Sequence, residues 1–365
     1  MRLDFFPSLT LTAYLAKLFI VRILAVLVML VLVLQALDLL SQTGRILAYE
    51  GNGQGELLTY LGLRIPQLIA RFLPYSVLLA TIITLATLNA NSEVVAMKAA
   101  GLSAHQVLAP LFLTAAVVAL LSFAFNERVV TRANATLSAW QAVDYAPIPQ
   151  EDGLRRNIYL EAGDNILSAA IALGAGDATQ LRQVVFYERD AGGMLIAETR
   201  AQRATYAAPG WRLNGATRFD VQSAIQGERG EAVVAPEVVP AQVALGRVDG
   251  DELTLSQLRS AIEAMRASGL RTSDLEAAWW HKISGPLSAL LMPLLGAVAA
   301  FGLARSGQLF LRAVIGMALG FAYFVVDNAA LAIGNFGGYP PLLAAWAPFF
   351  LFALIGETVL IRTEE

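Results

Sequence analysis

A polar stretch of roughly a third of the chain, residues 127 to 253, lies between two blocks of apolar runs, each run of a length that crosses a bilayer. Such a chain must live in lipid at both ends of its sequence and in water at its centre. Three runs precede the polar stretch and three follow it. The first, Leu18 to Leu40, carries Arg22 and Asp38 near its ends, where side chains reach headgroups or water. It is too long for a signal peptide and lacks a small-residue cleavage site, so it reads as a retained helix. The second, Ile65 to Leu88, holds Pro66, Pro74 and one charge, Arg71, which points to a helix facing protein or water along one side. The third runs from Val107 to about Phe125. After the polar stretch come Ile283 to Ala304, behind the interfacial pair Trp279 and Trp280; Leu309 to Ile333, with Asp327 inside it; and Pro341 to Ile361.

Composition agrees with a polytopic membrane protein of about six spans. Charged residues are 15% of the 365, below the ~25% of soluble domains, and mean hydropathy is +0.58. A net charge of -3 leaves no basic stripe for a phosphate backbone, so nucleic acid is not an expected partner. The absence of cysteine excludes disulfides, cysteine-ligated zinc and thiol chemistry. With only His105 and His281 there is no histidine-rich metal or acid–base site, and no metal or other cofactor is expected.

An even number of spans puts both termini on one side. Arg2, Lys17, Lys98, Arg305, Arg312 and Arg362 then fall on or near one face, against Arg45 and Arg64 in the short loops of the other. That bias favours cytoplasmic termini and a central domain facing away from the cytoplasm.

Residues 41 to 62 are rich in glycine and polar side chains and read as a loop. Residues 89 to 103 read as a short surface helix, with Ser92 as its cap, Glu93 and Lys98 as its charges and Gly101 at its end. In the central stretch, NIYLEA, RQVVFYER, GMLIAETR, ATYAAPGWRLNG, ATRFDVQ and EAVVAP are short β-rich segments separated by Gly, Asp and Pro turns. They suggest an antiparallel sandwich or a jelly roll. Thr254 and Gln257 have capping-box spacing at the head of an amphipathic helix ending near Gly269.

SEVVAMKAAGLS at 92 to 103 resembles the coupling-helix segment of the lipopolysaccharide export permeases, the LptF/LptG family. WRLNGATRFD at 211 to 220, WWHKISGPLSALLMPLLGAVAAFGLARS at 279 to 306 and RAVIGMALGFAYFVVDN at 312 to 328 resemble the LptG branch in particular. The resemblance covers essentially the whole chain. It implies residues 1–126 as spans one to three with a cytoplasmic coupling helix at about 92–102, residues 127–253 as a periplasmic β-jellyroll domain, and residues 254–365 as a linker helix and spans four to six. It further implies an LptF-like permease partner, a cytoplasmic LptB-like ATPase dimer, an LptA- or LptC-like periplasmic bridge, and lipopolysaccharide drawn from the outer leaflet of the bacterial inner membrane. The chain has no GxxxxGK[ST] loop, so ATP hydrolysis would belong to another polypeptide and this subunit would not be an enzyme.

Under that resemblance Glu93, Val94, Val95, Met97, Lys98 and Gly101 would dock in the ATPase; without it they read as a solvated loop helix. Gln35, Asp38, Arg45, Gln67 and Arg71 are the candidate lipid-cavity residues. The relatives' pattern has a lysine three residues before an aspartate in the first span and often a basic residue after the proline of the second. Here those places hold Gln35 and Gln67. Arg71 would then pair with an anionic headgroup, or snorkel to the interface. Asp38 is expected to cap or solvate the outer end of its helix, and Asp327 to bond to a neighbouring helix. His105 and His281 are expected at interfaces. A reading of a different class is a membrane-anchored periplasmic scaffold or sensor that needs no ATPase.

Overall fold

The computed structural model describes residues 7–141, 144–146, 155–173, 178–190, 192–240, 243, 250–267, 271–301 and 309–364. The chain divides into two compact units. One comprises Met1–Leu137, Gly250–Arg259 and Thr272–Glu365, the other Ser138–Asp249 and Ser260–Arg271.

The helical unit opens with α1 (Leu9–Leu47), whose first turn is capped by Ser8 through a 3.4 Å bond from the Leu11 N–H. The helix is longer at both ends than its apolar run. Ser41 and Thr43 donate to the carbonyls of Asp38 and Leu39 at 2.7 and 2.6 Å, so polar residues that read as loop stay in the helix by bonding back onto it. The connection is only residues 48–53. Gly53 then donates to Glu56 Oε2 at 2.7 Å to open α2 (Gln54–Ala90), which continues through Pro66 and Pro74.

A seven-residue helix, α3 (Glu93–Ala99), joins α2 to α4 (Ala104–Phe125). The reciprocal Ser103–Gln106 box caps α4 at 3.0 and 3.2 Å. Helical structure does not stop at residue 126. It passes through a π turn at Asn126–Val130 into α5 (Thr131–Gln141). Thr131 bonds the Asn126 carbonyl across that turn, and Glu127 accepts the Leu255 N–H at 2.7 Å. The polar composition of this segment hid a helix that simply runs beyond the apolar core.

On the return, α6 (Leu255–Ala267) begins at Thr254, whose backbone and hydroxyl both bond to Gln257 as the spacing predicts. Then come α7 (Ser273–Phe301), α8 (Leu309–Asn335) and α9 (Pro341–Glu364). Among the described residues five helices are long and apolar enough to cross a membrane: α1, α2, Ala104–Gln141, Val314–Asn335 and Pro341–Arg362. The expected fourth span, α7, is not one of them. It starts with Asp274, Glu276, His281 and Lys282 and carries Ser284, Ser288, Pro286 and Pro293 further on, while residues 302–308 lie outside the described residues. Its uncharged run, Ile283 to Ala304, extends past the last described residue of the helix. The helix packs against α2, α4, α8 and α9, with Ala289, Met292, Leu295 and Ala297 buried. By contrast α1 leaves Val21, Leu24, Val28, Leu32 and Leu37 exposed, a face that requires lipid or another helix to cover it.

The second unit holds six strands: β1 (Arg155–Ala162), β2 (Asn165–Leu173), β3 (Gln180–Arg189), β4 (Leu195–Ala207), β5 (Gly210–Asp220) and β6 (Ile225–Val234). They form one antiparallel sheet in chain order, an up-and-down meander with no crossover among the described strands. One face gathers Ile158, Leu167, Leu181, Val184, Phe186, Trp211 and Leu213, with Val238 and Val243 packed on it. Trp211 Nε1 donates to the Val238 carbonyl at 2.8 Å, which satisfies the indole inside that core. The segments WRLNG and ATRFDVQ form a single strand. Gly215, at φ +66°, is a bulge where the β5–β6 register shifts and not a turn.

Candidate functional site

Two polar places on the helical unit carry the residues that the sequence singles out. The first is α3. Val94 and Met97, three apart, form its inward stripe and are buried in the same apolar cluster as Leu15 and Phe19 of α1. Val95, Lys98 and Gly101 face outward, Val95 at 65% exposure. The six residues expected to form one docking surface are therefore split, with only 95, 98 and 101 fully presented. Glu93, half-buried, accepts from Tyr14 Oη at 3.2 Å and from Asn91 Nδ2 at 3.2 Å. Ser92 occupies the cap position in the left-handed region, φ 59°, and its side chain makes no cap bond, so the expected serine cap is absent. The other end is built as predicted. Gly101, φ +87°, donates to the Lys98 carbonyl at 2.9 Å and Leu102 to the Met97 carbonyl at 3.1 Å, a Schellman closure that a residue with a Cβ adopts only under strain.

The second place is the α1–α2 seam. Asp38 does not cap a helix end; it sits within α1 and takes three donors from α2. Tyr60 Oη lies at 2.5 Å, Arg64 Nη2 at 3.1 Å and Arg64 Nε at 3.2 Å. Arg64 also donates to Gln67 Oε1 at 2.6 Å. Sequence reasoning placed Arg64 in a loop and missed Tyr60. Their spacing of four on a helix was the available signal. The side chains of Arg64 and Asp38 are 28% and 19% exposed, so the charges cancel in a partly shielded place.

Gln35, one turn before Asp38 on α1, is 6% exposed, and neither its amide nitrogen nor its oxygen has a hydrogen-bond partner. Arg71 continues the α2 stripe of Tyr60, Arg64 and Gln67, about 10 Å further along the helix than Arg64. It is exposed and makes no hydrogen bond or ion pair among the described residues. Arg45 is exposed near the end of α1 and stands apart from the Asp38 bonds.

Asp327 of α8 bonds to its neighbour as expected: His281 Nε2 of α7 lies 3.1 Å away. His105 at the head of α4 meets Glu357 of α9 at 2.9 Å. Both histidines thus join helices. Among the described residues no group of three or more His, Cys, Asp or Glu is placed to hold a metal ion.

These features define a multi-pass helical membrane protein with an inserted antiparallel β unit. The family model for the lipopolysaccharide export system permeases LptF/LptG matches residues 13–362. The chain belongs to that family. It is 28% identical over 381 aligned positions to the lipopolysaccharide export system permease protein LptG of Escherichia coli K12, covering 98% of this chain and 99% of that protein. It is also 25% identical over 328 positions to the protein of the same name from Haemophilus influenzae, covering 85% and 87%.

Proposed function

We propose that this chain is a non-catalytic permease subunit of an ATP-driven exporter that draws lipopolysaccharide from the outer leaflet of the bacterial inner membrane. The β unit passes the lipid to an LptA- or LptC-like periplasmic bridge, and an LptF-like permease completes the cavity. The family match over residues 13–362 carries this reading. Residues 1–126 and 254–365 supply six spans in this scheme, with α7 as the fourth, and residues 127–253 supply the periplasmic domain, whose meander curls as a jellyroll-like trough.

An LptB-like ATPase dimer docks at α3. Val95, Lys98 and Gly101 form the contact surface, while Val94 and Met97 anchor the helix from behind. Lipid phosphates meet Arg71, whose guanidinium is suited to bidentate pairing with phosphate and forms no ion pair among the described residues. Gln35 and Gln67 contribute neutral donors where the family pattern is basic, Asp38 and Arg64 hold the two helices together beside them, and Arg45 stands near the end of α1.

Purification of the tagged full chain from its native membrane in mild detergent, with mass spectrometry of what accompanies it, tests the assignment. Recovery of a second six-span permease, an ATPase and lipopolysaccharide is expected, with the ATPase lost in Gly101→Arg. Intact chain without any ATPase, under conditions that preserve other ATPase-driven transporters, turns the assignment to a membrane-anchored scaffold.

A further inference from the structure

A helix of seven residues has no independent stability in water, and α3 also lacks a side-chain cap at its start. Its position is set by what it touches. Val94 and Met97 give it an apolar seat in the main cluster of the helical unit, to which Leu15 and Phe19 of α1 also belong. The polar tie is Glu93, whose carboxylate meets Tyr14 of α1, 79 residues earlier in the chain, at 3.2 Å to Oε2 and 3.5 Å to Oε1. Asn91 holds the same carboxylate from the α2 side.

Two turns beyond Tyr14 on the same side of α1 stands Arg22. Its Nη1 is buried without a hydrogen-bond partner, and it lies within electrostatic range of both Tyr14 and Glu93. The phenol fixes the orientation of the carboxylate.

We infer that Tyr14 is a positioning residue: its hydroxyl, with Arg22 behind it, ties Glu93 and hence the first turn of α3 to α1, so that a displacement of α3 carries α1 with it. This rests on the proposed docking of an ATPase at α3. Apolar contacts slide when a helix is pushed sideways, whereas a hydrogen bond is directional and joins one phenol to one carboxylate. Of the ties between α3 and α1, the Tyr14–Glu93 bond is therefore the one that transmits direction. α1 is also the helix that carries Gln35 and Asp38, so the tie connects the docking segment to the candidate lipid seam through a single helix.

The chain has no cysteine of its own, so a spin-label pair is introduced at Thr10→Cys on α1 and Ala99→Cys on α3, and the labelled cysteine-free parent complex supplies the background. The α1–α3 distance distribution is measured in the full-length chain with its co-purified partners, with and without Tyr14→Phe. Lipopolysaccharide release per ATP hydrolysed is measured in the same preparations. Tyr14→Phe is expected to broaden the distribution and to lower release per ATP by about threefold, the size of a part-exposed hydrogen bond to a charge, with ATPase recovery and hydrolysis rate unchanged. A simple packing role would leave release per ATP unmoved. An unchanged distribution overturns the tie whatever release does, and a broadened one with unchanged release overturns the transmission. If the wild-type chain recovers no ATPase while Tyr14→Phe still broadens the distribution, the tie stands and the docking assignment fails.

Discussion

Asp38 and Glu93 are both carboxylates on the helical unit, and the chain treats them in opposite ways. Asp38 is gripped by three donor atoms from one neighbouring helix, two of them on one charged guanidinium, in a partly shielded seam. Glu93 has a neutral phenol and a neutral amide, each at 3.2 Å, on a short helix beside solvent. The first arrangement makes α1 and α2 one body. The second holds a short helix by two neutral donors, a lighter hold than the paired charges at Asp38.

Mutations at the two carboxylates should separate them most clearly. Arg64→Ala leaves Asp38 with Tyr60 alone, at a cost of about 2–3 kcal/mol, at or just below the range for a broken buried pair because both partners keep some water. Thermal unfolding in detergent reads this, and the double change Asp38→Asn with Arg64→Gln is expected to recover most of it. Equal loss in single and double variants would show that the pair is not what holds the seam.

Gly101→Ala sharpens the other side of the comparison. It is expected to cost about 1–2 kcal/mol through a Cβ in the left-handed region, while no heavy atom crowds the position. Here ATPase recovery should fall more than stability does. The reverse order would make Gly101 a folding residue only.

Gln35→Leu removes a buried amide with no partner and is expected to stabilise the chain by about 1 kcal/mol, while lipopolysaccharide recovered with the protein decreases. Stabilisation with undiminished lipid would leave Gln35 out of the cavity.

The smallest effect belongs to Asp220 in the β5–β6 turn, a third kind of carboxylate. The Ser223 N–H and hydroxyl hold its carboxyl below the usual range. The folded value is depressed, so the turn's contribution is complete above the ordinary carboxylate range and is lost as pH falls through the lowered value. The Ser223 amide resonance should follow that titration, and Asp220→Asn should abolish the pH dependence.

Much of the architecture was readable because period and length are physical signals. Runs of 20 apolar residues specify spans, and alternation between turn residues specifies strands. The errors came where composition and local bonding disagree. Ser41 and Thr43 look like loop residues yet close onto their own helix, and Asn126–Val130 continues a helix as a π turn that no composition signals. Gly215 reads as a turn and is a bulge, because only the partner strand's register tells the two apart.

At the candidate site, the sequence located α3 and its glycine end. It did not show that Val94 and Met97 face inward, since a helix of seven residues has too few positions to declare its buried side. Nor did it supply Tyr14 for Glu93 or Tyr60 for Asp38. These pairings join residues 79 and 22 apart and depend on which faces of long helices meet.

The central claim is ATP-driven export by way of α3, and release of lipopolysaccharide from proteoliposomes to a soluble acceptor tests it most directly. The vesicles hold this chain with its co-purified permease and ATPase. ATP-dependent release that disappears in Gly101→Arg, with bound lipid undiminished in that variant, is the predicted result. Release that proceeds without ATP, or equally well with Gly101→Arg, would contradict it.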